Sequence, residues 1–458
     1  ALAIGWVVSP PAWSIAGGGS LVLGGLVAGA LRATNTWDFP TYLLIGGAGL
    51  IIGALASKRL DRLMTWGELL LHLALFVGVS LVLWTPFSRN YATAYSSIEW
   101  WEGSLTPLWA YLNIHLLFLF PIVTFMLWEA RHWGRRWWQW MWRRVLGDWR
   151  WVLAFGLFIV MGASLLAWAS GREVIVAAAP VLILCAALIV RPRLAGAQRF
   201  WTFVVAIAVG LTFAVEVVVL KGDISRMNTT FKFYLQVWVL LGIAAAVALG
   251  WLADRLAAWR GRGKTVWQGF LWLLVGASFL YIPLATRGKI ADRYVADMPP
   301  GLDGMAYMTR ATYDDTGMPY ELKWDHDLIV WLQENVIGTP VIAEGNSPLY
   351  HWGNRISINT GLPAIIGWDW HQRQQRSIMP GQVIDDRVAD VRTLFSSFLA
   401  DDARQIIDRY RVKYIVVGPL ERSYYPPEGL AKFDQMVAEG ALRVAYQNDG
   451  AVLYEVVK

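Results

Sequence analysis

A single carboxylate, Asp38, stands in the segment ATNTWDFP (33–40), flanked by Trp37 and Phe39 and closed by Pro40. A carboxylate held among apolar groups at a membrane surface has a raised proton affinity unless it is paired, which suits a general base or a metal ligand. The same residues suit a plainer task. Asn35, Thr36 and Asp38 are side-chain types that cap a following helix by accepting from its free N–H groups.

The segment KGDISRMNTTFKFY (221–234) sets Arg226 and Lys232 beside Asn228, Thr229 and Thr230, just where an apolar run resumes. Cations and hydroxyls beside a helix N-terminus make a phosphate site, which fits a lipid-linked pyrophosphate at the outer leaflet. The alternative is a surface loop whose cations reach along the membrane interface. Asn228-Thr229-Thr230 also matches the N-glycosylation sequon, a pattern short enough to recur by chance. Glu216 lies about one turn from the end of an apolar run, where a charge is costly unless it faces a cavity or a partner. His72 and His115 also fall within apolar runs; polar packing is their ordinary role, and haem or pigment ligation would need them to face one another. Further on, INTGLPAIIGWDWHQRQQR (358–376) clusters Trp368, Asp369, Trp370, His371 and Arg373. Such a set binds a sugar by stacking and hydrogen bonding, or simply packs as a loop.

Other chemistries lack their residues. HExxH, GxSxG and zinc-ligand spacings are missing, as are GxGxxG after a strand and GxxxxGK[ST]. The one cysteine, Cys185, lies inside an apolar run. It excludes an intrachain disulfide and a Cys-based metal site, and reads as a small buried apolar residue.

The elements that must position these residues follow from composition. Of the 458 residues 56% are hydrophobic and only 16% charged, with 28 Trp, which excludes a soluble enzyme. Apolar runs of bilayer length recur up to residue 285. Nine spans are expected, at about 14–32, 41–57, 68–87, 108–128, 151–169, 174–190, 201–220, 234–252 and 267–285. Up to residue 285 there are 22 Lys and Arg against 11 Asp and Glu; beyond it, 18 against 23. A basic membrane domain (1–285) is therefore expected before an acidic soluble domain (286–458). The connections 58–62, 129–150, 191–199 and 254–264 hold 16 Lys and Arg, and the alternate set holds 6. By the positive-inside rule the first set is cytoplasmic. The Asp38 and Arg226 loops are then extracytoplasmic, and nine crossings put the C-terminal domain on that side of the cell membrane.

Residues 131–151 pack seven Trp and six Arg, which reads as an interfacial helix. Nucleic-acid binding is not indicated, since no RNA-binding pattern surrounds the stretch. In the C-terminal part, helical patterns at 325–336, 387–399, 400–410 and 427–440 alternate with strand patterns at 339–345, 412–418, 442–448 and 451–457. Helix and strand in turn suggest an α/β sandwich.

Four segments, NTWDFPTYLL, SRMNTTFKFYLQVW, INTGLPAIIGW with His371 and Arg373 after it, and VKYIVVGPLERSYY with a trailing LAKF, resemble the Chlor_Arch_YYY family of polytopic membrane proteins of archaea and Chloroflexi-type bacteria. The segments run in family order along essentially the whole chain. The resemblance implies kinship with GT-C glycosyltransferases, which use polyprenyl-phosphate sugars and carry catalytic carboxylates on extracytoplasmic loops. Family members are longer, with a tyrosine-rich motif and an acidic-histidine stretch upstream of the segment matching Asn35–Pro40. The sequence, which starts without Met, therefore reads as the second half of such a protein, either truncated or working with a partner chain that carries the first half.

The leading expectation is a lipid-linked sugar transferase. Asp38 serves as base or metal ligand, Arg226, Asn228 and Lys232 hold the donor's phosphates, and Trp368, His371 and Arg373 meet the sugar or acceptor. A divalent metal is the one cofactor left open. The rival expectation is a non-catalytic integral subunit of a larger membrane assembly; a transporter is weaker, with one mid-span carboxylate and no repeat of broken helices.

Overall fold

Uncharged runs of Leu, Val, Ile, Ala and Gly satisfy their backbone groups in lipid by coiling. A computed structural model describes residues 1–12, 14–57, 63–91, 97–144, 169–191, 193–221, 225–259, 261–294, 298 and 301–457, with 63–65, 132–144 and 225 by backbone alone. These fall into two units, Ala1–Asn90 with Tyr95–Tyr281, and Tyr91–Ala94 with Ile282–Lys458.

The first unit is helical: α1 (Leu2–Val8), α2 (Ile15–Thr34), α3 (Asp38–Ala56), α4 (Leu63–Val82), α5 (Thr85–Asn90), α6 (Leu108–Arg144), α7 (Glu173–Ile189), α8 (Gly196–Ala214), α9 (Ser225–Leu256) and α10 (Arg262–Arg293). Among the described residues six helices are long and apolar enough to cross a membrane: Ile15–Thr34, Asp38–Ala56, Leu108–Arg131, Gly196–Ala214, Arg226–Leu256 and Arg262–Arg293. Trp66–Val82 and Glu173–Ile189 are shorter apolar helices. The expected span at 151–169 and the basic connection at 58–62 lie outside the described residues.

Three local expectations are corrected. The run expected to span 201–220 leaves the helix at Ala214, and Val218–Leu220 (β2) pairs antiparallel with Ile98–Trp100 (β1). Three consecutive valines favour extended backbone where a partner strand is at hand. The last apolar helix runs past 285 to Arg293. The Trp-rich stretch is no separate element up to Arg144, because α6 continues unbroken through it; residues 145–151 are not described.

The core of this unit is built by α6 to α9, where Ile122, Met126, Cys185, Val205, Val209, Val237, Leu241 and Ala248 are buried. A second cluster joins Trp6, Leu21, Leu50 and Phe76. Small residues let these helices approach closely, as is usual in membranes. A Cβ at Gly25 would come within 2.8 Å of the Phe76 carbonyl oxygen, and one at Gly53 would collide with that of Trp6.

The second unit holds the short pair β3 (Thr312–Tyr313) and β4 (Tyr320–Glu321), then α11 (Lys323–Asn335), β5 (Val341–Ala343), α12 (Arg355–Thr360), α13 (Asp369–Gln375), α14 (Gln382–Ser396), α15 (Ala400–Tyr410), β6 (Val412–Val417), α16 (Pro419–Tyr424), α17 (Pro427–Ala438), β7 (Leu442–Gln447) and β8 (Val452–Val456). Its four-stranded sheet runs β5-β6-β8-β7, with β5 and β6 parallel and the other pairs antiparallel. Alternation along β6 loads both faces. Ile415 and Val417 pack with Phe395, Ile406 and Phe433 from α14, α15 and α17, while Val416 packs with Leu328, Ile329 and Leu332 from α11.

Candidate functional site

Asp38 opens α3, and no side chain caps that helix. Thr36 Oγ1 turns back to donate to Arg32 O (3.0 Å), and Asp38 N donates to Asn35 O (2.9 Å). The capping role read for Asn35, Thr36 and Asp38 is therefore not made through side chains. Asp38 sits in the first turn, where a carboxylate meets the positive end of the helix dipole. Its Oδ1 is shielded from solvent without a hydrogen-bond partner among the described residues.

The start of α9 lies against this turn. Gln236 Nε2 donates to Trp37 O (3.1 Å), the Trp37 and Phe233 rings lie 6.3 Å apart, and Lys232 Nζ sits 6.0 Å from the Trp37 ring centre. The two polar loops singled out in the sequence are thus one place. A cavity of about 430 Å³ opens beside it, lined by Trp37, Pro40, Thr41 and Leu44 from α3 and its approach, by Thr229 and Phe233 from α9, and by the valines of β2.

Arg226 is buried and occupied. Nε donates to Val215 O (2.9 Å), Nη1 to Ser104 O (3.1 Å), and Nη2 to Thr106 Oγ1 (3.0 Å) and to Glu216 Oε1. Four of the five N–H donors of a guanidinium are thereby engaged, and Glu216 neutralises the charge. Thr106 N donates to Glu216 Oε2 (3.3 Å), so the pair ties the 104–106 segment to the turn after α8. Thr229 Oγ1 accepts from Leu220 N (3.2 Å), and Asn228 beside it is half-buried. A second cavity, of about 590 Å³, is lined by Trp101, Ser104, Arg226, Phe231, Tyr234 and Trp238. His115 is fully buried, its ring between those of Tyr111 (4.9 Å) and Tyr234 (5.3 Å).

Another cluster joins described residues of three expected basic connections, 129–150, 191–199 and 254–264. Glu129 at the end of the α6 span pairs with Arg191 (2.8 Å) and Arg255 (2.6 Å), while Arg199 donates to Ile189 O and Arg191 O.

Trp368 precedes α13, and its ring lies 5.5 Å from that of His371. Arg373 pairs instead with Asp385 (2.5 Å) and more loosely with Asp369 (3.9 Å). The most buried charges of this unit escaped sequence reading. Arg355 donates from Nε to Asp325 Oδ2 (2.7 Å) and from Nη1 and Nη2 to Glu421 Oε1 (3.1 Å) and Oε2 (2.9 Å). Glu344 accepts from Ile356 N and Ser357 N at the start of α12 (both 2.9 Å). Burial alone would raise Glu421, but Arg355 and the N–H groups of Gly345 and Gly418 hold it below the usual carboxylate range. Burial wins at Glu344, which is pushed up. The four residues lie far apart in the sequence, and no local pattern marks them.

Residues 2–241 match the model of the uncharacterized membrane protein family DUF2298. The chain belongs to that family. The DUF2298 region runs from α1 to the middle of α9 and so contains Asp38, Glu216, Arg226 and Lys232, whereas Trp368, His371 and Arg373 lie beyond it. With this family and six membrane-length helices, the protein is a multi-pass membrane protein. No curated protein matches the chain.

Proposed function

We propose that the protein is a glycosyltransferase-like membrane enzyme that takes a polyprenyl-phosphate-linked sugar on the extracytoplasmic face. Nine crossings and an extracytoplasmic C-terminal α/β domain belong to this reading, which rests on the charge asymmetry of the connecting loops. The observation that carries it is the meeting of the Asp38 turn with the start of α9 beside an apolar cavity of about 430 Å³.

In this reading the cavity takes the first isoprene units and Lys232 lies toward the phosphate. Asp38 Oδ1, lacking a hydrogen-bond partner among the described residues, accepts the proton of the acceptor hydroxyl. The acceptor oxygen bonds to the sugar's anomeric carbon, the bond from that carbon to the phosphate oxygen breaks, and its electron pair leaves on polyprenyl phosphate. A fixed cation favours the charge that develops on the leaving group. Arg226, compensated by Glu216, shapes the neighbouring 590 Å³ cavity rather than supplying net charge. Asn228 flanks the same helix start, and Trp368, His371 and Arg373, in the second unit, take no part in this step. Among the described residues no three His, Cys, Asp or Glu side chains converge.

The rival reading, a non-catalytic integral subunit, is favoured by α10, where Val266, Trp272, Leu273, Phe279 and Leu280 are all exposed. The test is transfer from a labelled polyprenyl-phosphate sugar by the full chain in liposomes. Asp38→Asn abolishes transfer, and Lys232→Met raises the donor concentration needed, with membrane insertion intact. Unchanged glycan products in Asp38→Asn sink the enzyme reading, and a stoichiometric, unrelated partner retained in mild detergent supports the subunit.

A further inference from the structure

In the second unit, the turn between β5 and α12 holds two non-glycine residues in the left-handed region, Tyr350 (φ 64°) and Asn354 (φ 63°). Such backbone is costly and persists only where its surroundings enforce it. Here Gly353 N donates to Ser347 Oγ (3.0 Å) and Asn346 N to Tyr425 OH (2.9 Å). The Asn354 amide, oriented to satisfy both neighbours, donates to Ile366 O (3.1 Å) and accepts from Trp368 N (3.0 Å). That clasp joins the Tyr350 turn to the Trp368 loop. The Tyr350 ring lies 5.8 Å from Trp368 and 5.6 Å, at right angles, from His371. The three rings thus pack on one another, and Tyr350, the outermost, is 65% exposed. His371 Nδ1 is shielded from solvent and has no hydrogen-bond partner among the described residues.

The residue after Tyr350 is His351. Its Nδ1 meets Asp315 Oδ1, and Tyr424 OH donates to Asp315 Oδ2. The Asp315 side chain is 3% exposed and that of His351 39%. Burial and the Asp315 carboxylate both push the Tyr424 phenol up, so it remains a donor at ordinary pH. A carboxylate accepts, so Nδ1 carries the hydrogen, and this bond fixes the orientation of the ring with Nε2 at its far edge. The nearby cation Arg373 is balanced by Asp385 and Asp369.

We propose that this face binds a neutral carbohydrate, with the exposed Tyr350 ring, backed by Trp368 and His371, stacking on the apolar side of a hexose and His351 Nε2 hydrogen-bonding to one of its hydroxyls. An exposed aromatic surface with a few fixed polar groups at its edge is what a sugar requires, apolar on one side and hydroxylated at the rim. The balanced charge of Arg373 argues for a neutral ligand. Binding here is independent of sugar transfer in the membrane unit.

The experiment is saturation-transfer NMR on the full chain in lauryldimethylamine oxide, a detergent without sugar, with maltohexaose, mannohexaose and chitohexaose as probes. At least one probe binds, and Trp368→Ala, Tyr350→Asn and His351→Gln each weaken it by about tenfold or more. Asn tolerates the left-handed backbone at position 350, so Tyr350→Asn removes the ring without adding strain and keeps the melting temperature. Tyr350→Phe retains binding, as does Trp370→Ala. No binding of any probe up to about 10 mM, or equal binding by wild type, Tyr350→Asn and Trp368→Ala, overturns the proposal.

Discussion

Arg226 reaches back ten residues to Glu216, and the two form a buried ion pair whose remaining hydrogen bonds go to Val215, Ser104 and Thr106. Neither charge is tolerable alone in a membrane-spanning unit. Together they pin the β1–β2 pair and the start of α9.

Removing one partner leaves the other buried and uncompensated, at about 3–5 kcal/mol. Glu216→Ala and Arg226→Ala are each expected to lower the melting temperature of the detergent-solubilised chain sharply. The double replacement Glu216→Gln with Arg226→Met recovers much of that loss. A double replacement that melts at the sum of the two single losses refutes the coupling.

Close packing of α1 on α3 rests on Gly53, whose added Cβ would meet the Trp6 carbonyl, whereas one at Gly47 would make only an ordinary contact with Leu73 at 3.8 Å. Gly53→Ala should destabilise the chain by about 1–3 kcal/mol, while Gly47→Ala leaves it unchanged or slightly stabilised. Thermal unfolding of the two variants side by side decides this.

Arg355 is the hub of the second unit, and Arg355→Met should cost about 3–5 kcal/mol, since Asp325 and Glu421 are left buried without their cation. Glu421 is held below its ordinary value of 4.5. Its contribution is therefore full above that pH and lost as pH falls toward its folded pKa. Glu344, raised by burial, acts with the opposite sign: its contribution is present at low pH and declines as pH rises from 4.5 through the raised value. Melting curves between pH 7 and acid should fall for wild type, and start lower but run flatter for Glu421→Gln.

Lys432 is buried, donating to Leu394 O (2.5 Å), Gly429 O (2.6 Å) and Ser397 O (2.8 Å). Burial pulls its pKa down from 10.5 to about 8, with Asp402 pulling the other way. Between those values the unfolded chain binds the proton more tightly, so this group makes stability rise with pH across that window, by on the order of 3 kcal/mol in all. Lys432→Met should abolish the rise. Identical pH slopes for the two proteins between pH 8 and 10.5 contradict it.

The sequence by itself determined what depends on neighbours along the chain. Bilayer-length apolar runs read as helices because lipid leaves the backbone no other partner, and Val412–Val417 read as a strand because Val, Ile and Tyr side chains suit a pleated surface. It also determined that Glu216 needed a partner, without naming one. Only the tertiary structure decided that the partner is Arg226, that Thr36 turns back to Arg32 instead of capping α3, and that Val218–Leu220 leave the helical run to pair with Ile98–Trp100. Arg355 and Glu421 stand 66 residues apart, and His351 and Asp315 stand 36 apart. Hydropathy and periodicity are local sums. A buried charge is balanced through space, so its partner is fixed only once the helices and strands have packed.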